Sequence, residues 1–423
     1  MRTVTVVGAS LAGLYAARAL RSQGFDGRLV VIGAEHHRPY DRPPLSKEFL
    51  AGRKPGADGP PGSADGDLLG QLALSDDEEE AELAAEWLLG TPAAGLDAAG
   101  RAVLLADGRR IATDGVVIAT GATPRTLPGP PLAGVHTLRT LDDALALRAA
   151  LHAGARQVVV IGGGFIGAET ASTCAGLGAQ VTVVEAAPLP LLPQLGTDMA
   201  RLCAGLHADH GVRLLCGTGV KALRADGGSP EGGGRHGRVT GVELADGRLL
   251  DADAVIVGIG ARPATDWLEN SPLALRDGVL CDEGGATALP HVVAAGDVAR
   301  YGADRAEHWT SATEQPAVAV RNLLAGATVA RHTPRPYFWS DQYGSRIQLA
   351  GRRGPEDAAR IVEGDPDEGS FVAVYERGGA MTAALAVNRP RPFMRLRRQL
   401  AKSAPGTPAP PADAPAAARG ATP

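Results

Sequence analysis

Residues 157–185, QVVVIGGGFIGAETASTCAGLGAQVTVVE, decide the fold. Val158–Ile161 is an apolar run of strand length that stops at glycine and passes into a helix-like segment; VTVVE then reads as a second strand. Gly162, Gly164 and Gly167 complete a G-x-G-x-x-G turn between strand and helix, with Phe165 and Ile166 inside it and Glu185 18 residues past Gly167. The first glycine permits a tight turn, the second lets backbone approach a pyrophosphate, the third lets helix pack on strand, and the helix start favours the anion. Glu185 is then placed to hold ribose hydroxyls. No arginine follows it in AAPLPLLPQ, so a 2′-phosphate meets repulsion without a cationic partner, which points to NADH over NADPH.

The same pattern occurs about 155 residues earlier. Thr3–Gly8 is a short apolar run ending at glycine, the turn reads Gly8-Ala-Ser10-Leu11-Ala12-Gly13, and Glu35 closes the next strand 22 residues past Gly13. Ser10 stands where the second glycine is usual, so this copy is imperfect. Two dinucleotide folds in one chain invite a redox reading, because bringing a flavin and a nicotinamide face to face needs positioning more than acid–base groups. Two nucleotide sites used for regulation or structure are the alternative.

The fold class expected is α/β, with two Rossmann-like dinucleotide-binding domains and a C-terminal α+β domain. Between the copies lie a proline-rich stretch, RPYDRPPLSKEFLAG, whose prolines exclude a regular helix until after Pro44, and a helix over DDEEEAELAAEW with Ser75 as its N-cap. Asp107-Gly108 is a hairpin signal, and a similar pairing recurs at 238–250. Residues 52–67 and 225–237 read as flexible inserts, and the Ala/Pro-rich tail 401–423 as disordered.

Composition removes several classes. A net charge of −5 gives no reason to expect nucleic acid or an anionic membrane as main partner, and no apolar run reaches membrane-spanning length. Cys174, Cys203, Cys216 and Cys281 stand far apart without CxxC or metal-ligand spacing, so no metal is expected and the thiols read as reduced. The N-terminus enters a strand without an export leader, and the chain is expected to be cytoplasmic.

VTVVGASLAG, RPYDRPPLSKEFL, VIATGATPR, VVVIGGGFIGAE, VTVVEAAPLPL, VIVGIGARP, AAGDVAR, EHWTSATEQ and YFWSDQYG follow one another along the chain. In this order they resemble the FAD-dependent pyridine nucleotide reductases that serve ferredoxins, rubredoxin and putidaredoxin, and are also similar to apoptosis-inducing factor. The resemblance implies an FAD domain over 1–122 and 253–326, an inserted NAD domain over 123–252, and a C-terminal reductase domain over 327–400. It implies that Gly8, Ser10, Leu11, Ala12, Gly13, Glu35, Arg42, Lys47, Ala93, Thr120, Gly121, Arg125, Asp297 and Trp309 bind FAD. Gly162, Gly164, Phe165, Ile166, Gly167, Glu169, Glu185 and Gly260 are implied for NAD. Lys47 is implied at the reactive flavin edge, with Glu169 as its partner, and these two are the implied catalytic residues. Arg125 is expected to neutralise pyrophosphate; His308, beside Trp309, is given no proton-transfer role.

Within the wider group, glutathione reductase relatives carry CxxxxC where this chain has PPLSKEFL, and NADH oxidases and peroxidases use one cysteine there. No cysteine precedes Cys174, so both routes are excluded. The resemblance therefore implies hydride transfer from NADH to FAD, then single electrons to a ferredoxin-type iron–sulfur protein feeding an oxygenase or cytochrome P450, by a monomer or homodimer. Arg395, Arg397, Arg398 and Lys402 offer an acidic ferredoxin a basic surface, or form the solvated face of a generic helix. A flavin oxidoreductase delivering electrons to a quinone or dye, and a nonenzymatic NADH sensor, stand as alternatives.

Overall fold

A computed structural model describes residues 1–52, 64–226, 237–302 and 305–402. Of the inserts expected over 52–67 and 225–237, residues 53–63 and 227–236 lie outside the described residues, as does 403–423 of the expected tail. Residues 64–67 instead open the helix Ala64–Leu72, and 401–402 end the helix Pro390–Lys402.

Two parallel five-stranded sheets carry the duplication. In the first the strand order is Val292–Ala294, Gly115–Ile118, Thr3–Val7, Arg28–Ile32, Ala85–Leu88. In the second it is Arg213–Cys216, Gln180–Glu185, Gln157–Ile161, Ala254–Val257, Val135–His136. The valine- and isoleucine-rich strands are buried on both faces, as parallel strands covered by helices must be. Each fold also carries a three-stranded antiparallel meander just before the strand that returns to its sheet: Ala93–Asp97, Ala102–Leu105 and Arg110–Ala112 in the first, and Val220–Ala225, Val239–Leu244 and Leu249–Asp251 in the second. The Asp107-Gly108 turn has its repeat in Asp246-Gly247, with both glycines at positive φ. The duplication therefore extends well past the glycine turns.

A two-stranded ribbon, Ala122–Pro124 against Ala261–Pro263, joins the folds where the chain leaves the first and returns to it. Val292–Ala294 then completes the first sheet. The chain ends in a five-stranded antiparallel sheet ordered 337–342, 345–351, 380–387, 370–377, 358–365. One face of it buries Phe393 of the last helix, Pro390–Lys402, among Ala350, Val372, Ala384 and Ala386. The other packs Ile347, Leu349, Phe371 and Tyr375 on Leu195, Met199 and Cys203 of the helix Leu192–Asp209 in the second fold.

The proline-rich stretch holds to expectation, with no α-helix before Glu48, whereas the helix expected over DDEEEAELAAEW stops at Leu83 and Ala85–Leu88 is a strand of the first sheet. The acidic helix, Asp77–Leu83, is capped by Asp76, whose carboxylate accepts from the Glu79 N–H at 2.8 Å; Ser75 bonds the Glu80 carboxylate instead. The extended residue before the first helical turn is Asp76, and its ionised side chain is the stronger acceptor. The proline-rich stretch forms a 3-10 turn over Pro43–Ser46, and a four-residue helix, Glu48–Ala51, follows.

Candidate functional site

Each cradle is defined by glycines that have no room for a side chain. A Cβ on Gly8 would lie 2.1 Å from the Ala119 carbonyl oxygen, and one on Gly13 would lie 1.8 Å from that of Gly8. In the second fold the equivalent contacts are 2.2 Å, Gly162 to the Gly258 oxygen, and 2.0 Å, Gly167 to the Gly162 oxygen. A Cβ on Gly164 would meet nothing within 4 Å. Helices Leu11–Ser22 and Phe165–Gly176 start at Ser10 and Gly164, and neither start is capped by a side chain. Their first N–H groups remain for a diphosphate, so the residues present fit the dinucleotides that the sequence implies.

In the first fold one arginine gathers the site. Arg42 donates to Ser10 Oγ (3.2 Å), Glu35 Oε1 (2.5 Å), the Tyr40 hydroxyl (2.9 Å) and the Arg139 carbonyl (2.5 Å). The Tyr40 hydroxyl donates to Glu35 Oε2 at 2.5 Å. Burial works against the Arg42 charge, but Tyr40 and Glu35 outweigh it and raise its pKa. The hydroxyl of Ser10 thus serves Arg42, which gives the departure from glycine a structural use. Arg139 continues the line: its guanidinium donates to Asp297 Oδ2 at 2.8 Å and lies 3.5 Å from where a Gly121 Cβ would be. Gly296, before Asp297, is close enough to Ala12 that an added Cβ would come within 2.9 Å of the alanine's. Ser10, Ala12, Glu35, Arg42, Gly121 and Asp297 are therefore brought together.

Others are placed differently. Thr120 donates to the Ala264 carbonyl at 2.8 Å, at the connecting ribbon. Arg125 is exposed, and its N–H donates to the Gly260 carbonyl at 2.9 Å, past the end of the second-fold strand Ala254–Val257. Ala93 opens the first meander opposite Leu105. The indole N–H of Trp309 donates to Asp41 Oδ1 at 3.1 Å, and its ring meets Trp339 edge-on at 6.2 Å.

In the second fold Glu185 is held by backbone. Oε2 accepts from Gly163 N–H and Oε1 from Ala187 N–H, both at 2.8 Å, and no cation among the described residues pairs with it. Ile166 is exposed at the helix start, whereas Phe165 packs on Phe338 of the last sheet at 4.3 Å. Phe338 stacks in turn on His308 at 5.8 Å, and burial lowers the His308 pKa, which favours the uncharged ring.

Between the cradles lies a buried ion pair. Lys47 Nζ donates to Glu169 Oε2 at 2.6 Å and to the Pro43 carbonyl at 2.9 Å. Ser46 Oγ also donates to Oε2 at 2.6 Å, and Ser340 Oγ donates to Oε1 at 2.7 Å. The pairing expected of Lys47 and Glu169 is present; Tyr40, Ser46, Arg139 and Ser340 were missed. None lies in a local motif that marks it, although Tyr40 and Ser46 share the stretch that supplied Arg42 and Lys47. All four cysteines are free, and burial pushes Cys174, Cys203 and Cys281 up to about 12, far from thiolate chemistry.

These features, two glycine cradles separated by a buried ion pair, define a two-dinucleotide oxidoreductase fold. Residues 2–316 match the pyridine nucleotide-disulphide oxidoreductase family, and residues 337–420 match the reductase C-terminal family. The chain belongs to the pyridine nucleotide-disulphide oxidoreductases. It is 36% identical over 405 residues to a ferredoxin–NAD(P)+ reductase of Sphingomonas sp, covering 93% of this chain and 92% of that one. To the ferredoxin–NAD+ reductase component of the biphenyl dioxygenase system of Paraburkholderia xenovorans it is 37% identical over 400 residues, covering 92% and 91%. A chain of the covalent putidaredoxin reductase–putidaredoxin complex superposes with a TM-score of 0.83 at 30% identity, covering 94% of this chain and 93% of that one. The family uses FAD and a nicotinamide dinucleotide.

Proposed function

We propose that the chain is an NADH:ferredoxin reductase, with FAD in the cradle of the first sheet, NADH in that of the second, and residues 327–400 facing the protein acceptor. Because Ala254–Val257 is a strand of the second sheet, the expected return to the FAD fold at 253 moves to the ribbon at Ala261–Pro263. The observation that carries this is the buried Lys47–Glu169 pair set between the two cradles, with no cysteine in the segment bearing Lys47. Bound FAD accepts two electrons as hydride and returns them singly. The protein's own work is positional. Gly8 and Gly13 admit the first diphosphate, and Gly162 and Gly167 the second. Arg42 and Arg139 fix Glu35 and Asp297 in place, so that their remaining lone pairs orient hydroxyls, and Lys47 supplies a positive charge that Glu169 holds in place. Glu185, uncompensated, supports NADH over NADPH.

The relatives named for ferredoxin support the acceptor. So does the last helix. Arg397 lies 3.9 Å over the Tyr337 ring, which stacks on Trp339 at 5.7 Å, and Trp339 meets Trp309. This row of rings and cations faces a partner of acidic surface. Arg395 is partly used by Glu363 at 3.5 Å, so Arg397 and Arg398 carry more of the expected basic face. The free thiols support a reducing, cytosolic setting.

The test is anaerobic stopped-flow mixing of the FAD-loaded protein with NADH and then a ferredoxin. Rapid bleaching followed by ferredoxin-dependent reoxidation is expected. Slow bleaching with a long-lived charge-transfer band, or reoxidation by quinone but by no ferredoxin, sinks the proposal.

A further inference from the structure

Glu169 is 3% exposed and lies where three parts of the chain meet. Its own helix, Phe165–Gly176, starts at the second glycine cradle. Oε2 faces the proline-rich segment of the first fold through Lys47 and Ser46. Oε1 faces the C-terminal sheet, accepting from Ser340 Oγ at 2.7 Å and more weakly from Asp341 N–H at 3.4 Å. Ser340 in turn accepts from Gln342 Nε2 at 2.9 Å, and both residues are buried, Ser340 at 0% and Gln342 at 1% exposed.

The direction of these bonds is fixed by chemistry. An amide NH2 only donates, and a carboxylate paired with lysine only accepts. A serine hydroxyl carries one proton, so Ser340 must accept from Gln342 and give that proton to Glu169. Every donor in the row points at Glu169. A carboxylate turns about its last torsion in a broad well, so Ser340 on Oε1 and Ser46 on Oε2 together set its rotation, one from each side. Lys47 has a second acceptor, the Pro43 carbonyl at 2.9 Å, towards which its ammonium moves if Oε2 turns away.

We infer that Ser340 is a positioning residue of the reaction centre: by holding Glu169 Oε1 while Ser46 holds Oε2, the C-terminal sheet helps set the rotation of the carboxylate that aims Lys47 at the flavin. The last domain then completes the site where hydride arrives, in addition to facing the acceptor. This rests on the reading that Lys47 lies at the flavin edge.

The experiment compares FAD-loaded wild type with Ser340→Ala, Ser340→Thr, Gln342→Leu and Ser172→Ala. Ser172 is the control, because its Oγ accepts from Tyr343 N–H at 2.7 Å across the same seam without touching Glu169. Ser340→Ala is expected to slow NADH-driven flavin bleaching about tenfold, the effect of one unmade bond to a buried charged group. The KM for NADH should change far less, and the visible spectrum of the resting oxidised flavin should shift as the nearby charge moves. Ser340→Thr restores rate and spectrum, Gln342→Leu has a smaller effect of the same kind, and Ser172→Ala lowers the melting temperature while leaving both untouched. If Ser340→Ala and Ser172→Ala lower the melting temperature alike and neither changes bleaching or spectrum, Ser340 is a structural tie and the inference falls. Bleaching by NADH precedes any acceptor, so a protein that reduces its flavin but no ferredoxin overturns the proposed function and still reads the role of Ser340.

Discussion

The two nucleotide folds share the order of four of their five strands, the meander and the glycine geometry, yet they treat their acids in opposite ways. Glu35 is bound by side chains, Arg42 and Tyr40, that arrive from the proline-rich insert. Glu185 is bound by two backbone N–H groups of its own fold. An acid fixed by an arginine is part of a charge network; one fixed by amides has no cation beside it among the described residues. The first arrangement suits a resident cofactor held by many groups. The second suits a ligand that comes and goes and is sorted by charge.

The largest expected effect comes from breaking one cradle at a time. Gly13→Ala and Gly167→Ala each force a Cβ to about 2 Å from a carbonyl oxygen, an overpacking cost of roughly 3 kcal/mol because backbone must move. Gly13→Ala is expected to purify without yellow colour and with a depressed melting temperature. Gly167→Ala keeps FAD but loses NADH-driven bleaching, while dithionite still reduces it. Equal loss of flavin in both would erase the distinction between resident and exchanging sites. Gly164→Ala, whose Cβ meets no protein atom within 4 Å, is expected to leave the fold and the flavin intact while weakening NADH binding.

A smaller effect tests the sorting. Glu185→Ala combined with Ala186→Arg should move the NADPH-to-NADH ratio of kcat/KM by about thirtyfold, or roughly 2 kcal/mol. An unchanged ratio would mean that the carboxylate on Gly163 and Ala187 does not face the 2′ position.

What was legible in the sequence follows the range of the interaction. The glycine turns, the second strands and their closing acids lie within about 30 residues, the size of one βαβ unit, and strand–turn–helix sterics alone dictate them. Ser46 and Ser340 reach Glu169 across 123 and 171 residues. No spacing rule links them, because their meeting depends on how three parts of the chain stack. Arg139 was invisible for the same reason: it sits two residues after Thr137, in a segment without motif, and finds Asp297 158 positions away. The N-cap at 75 against 76 was a different kind of miss, a choice between adjacent capping residues settled by which one is extended.

The smallest effect sharpens the comparison at its outer edge, where the second fold meets the C-terminal domain through a hydrogen-bonded histidine and the first through His308 stacked on Phe338. His207, on Leu192–Asp209, bonds the Tyr343 hydroxyl through Nδ1 at 2.7 Å, and His210 stacks on the same ring at 4.8 Å. Burial lowers the His207 pKa from 6.5 to about 4. The folded-state value lies below the unfolded one, so the unfolded chain binds the extra proton first. The stability that neutral His207 contributes is complete above pH 6.5 and is lost as pH falls towards 4. Between pH 6.5 and 5.5 the loss is on the order of 1 kcal/mol. His207→Gln removes this titration while keeping a polar group near Tyr343. Melting curves of the variant and wild type should therefore converge as pH is lowered from 7 to 5, even though other buried histidines, His308 and His332 among them, make both proteins less stable in acid. A gap that stays constant over that range would show that this seam is not what acid loosens.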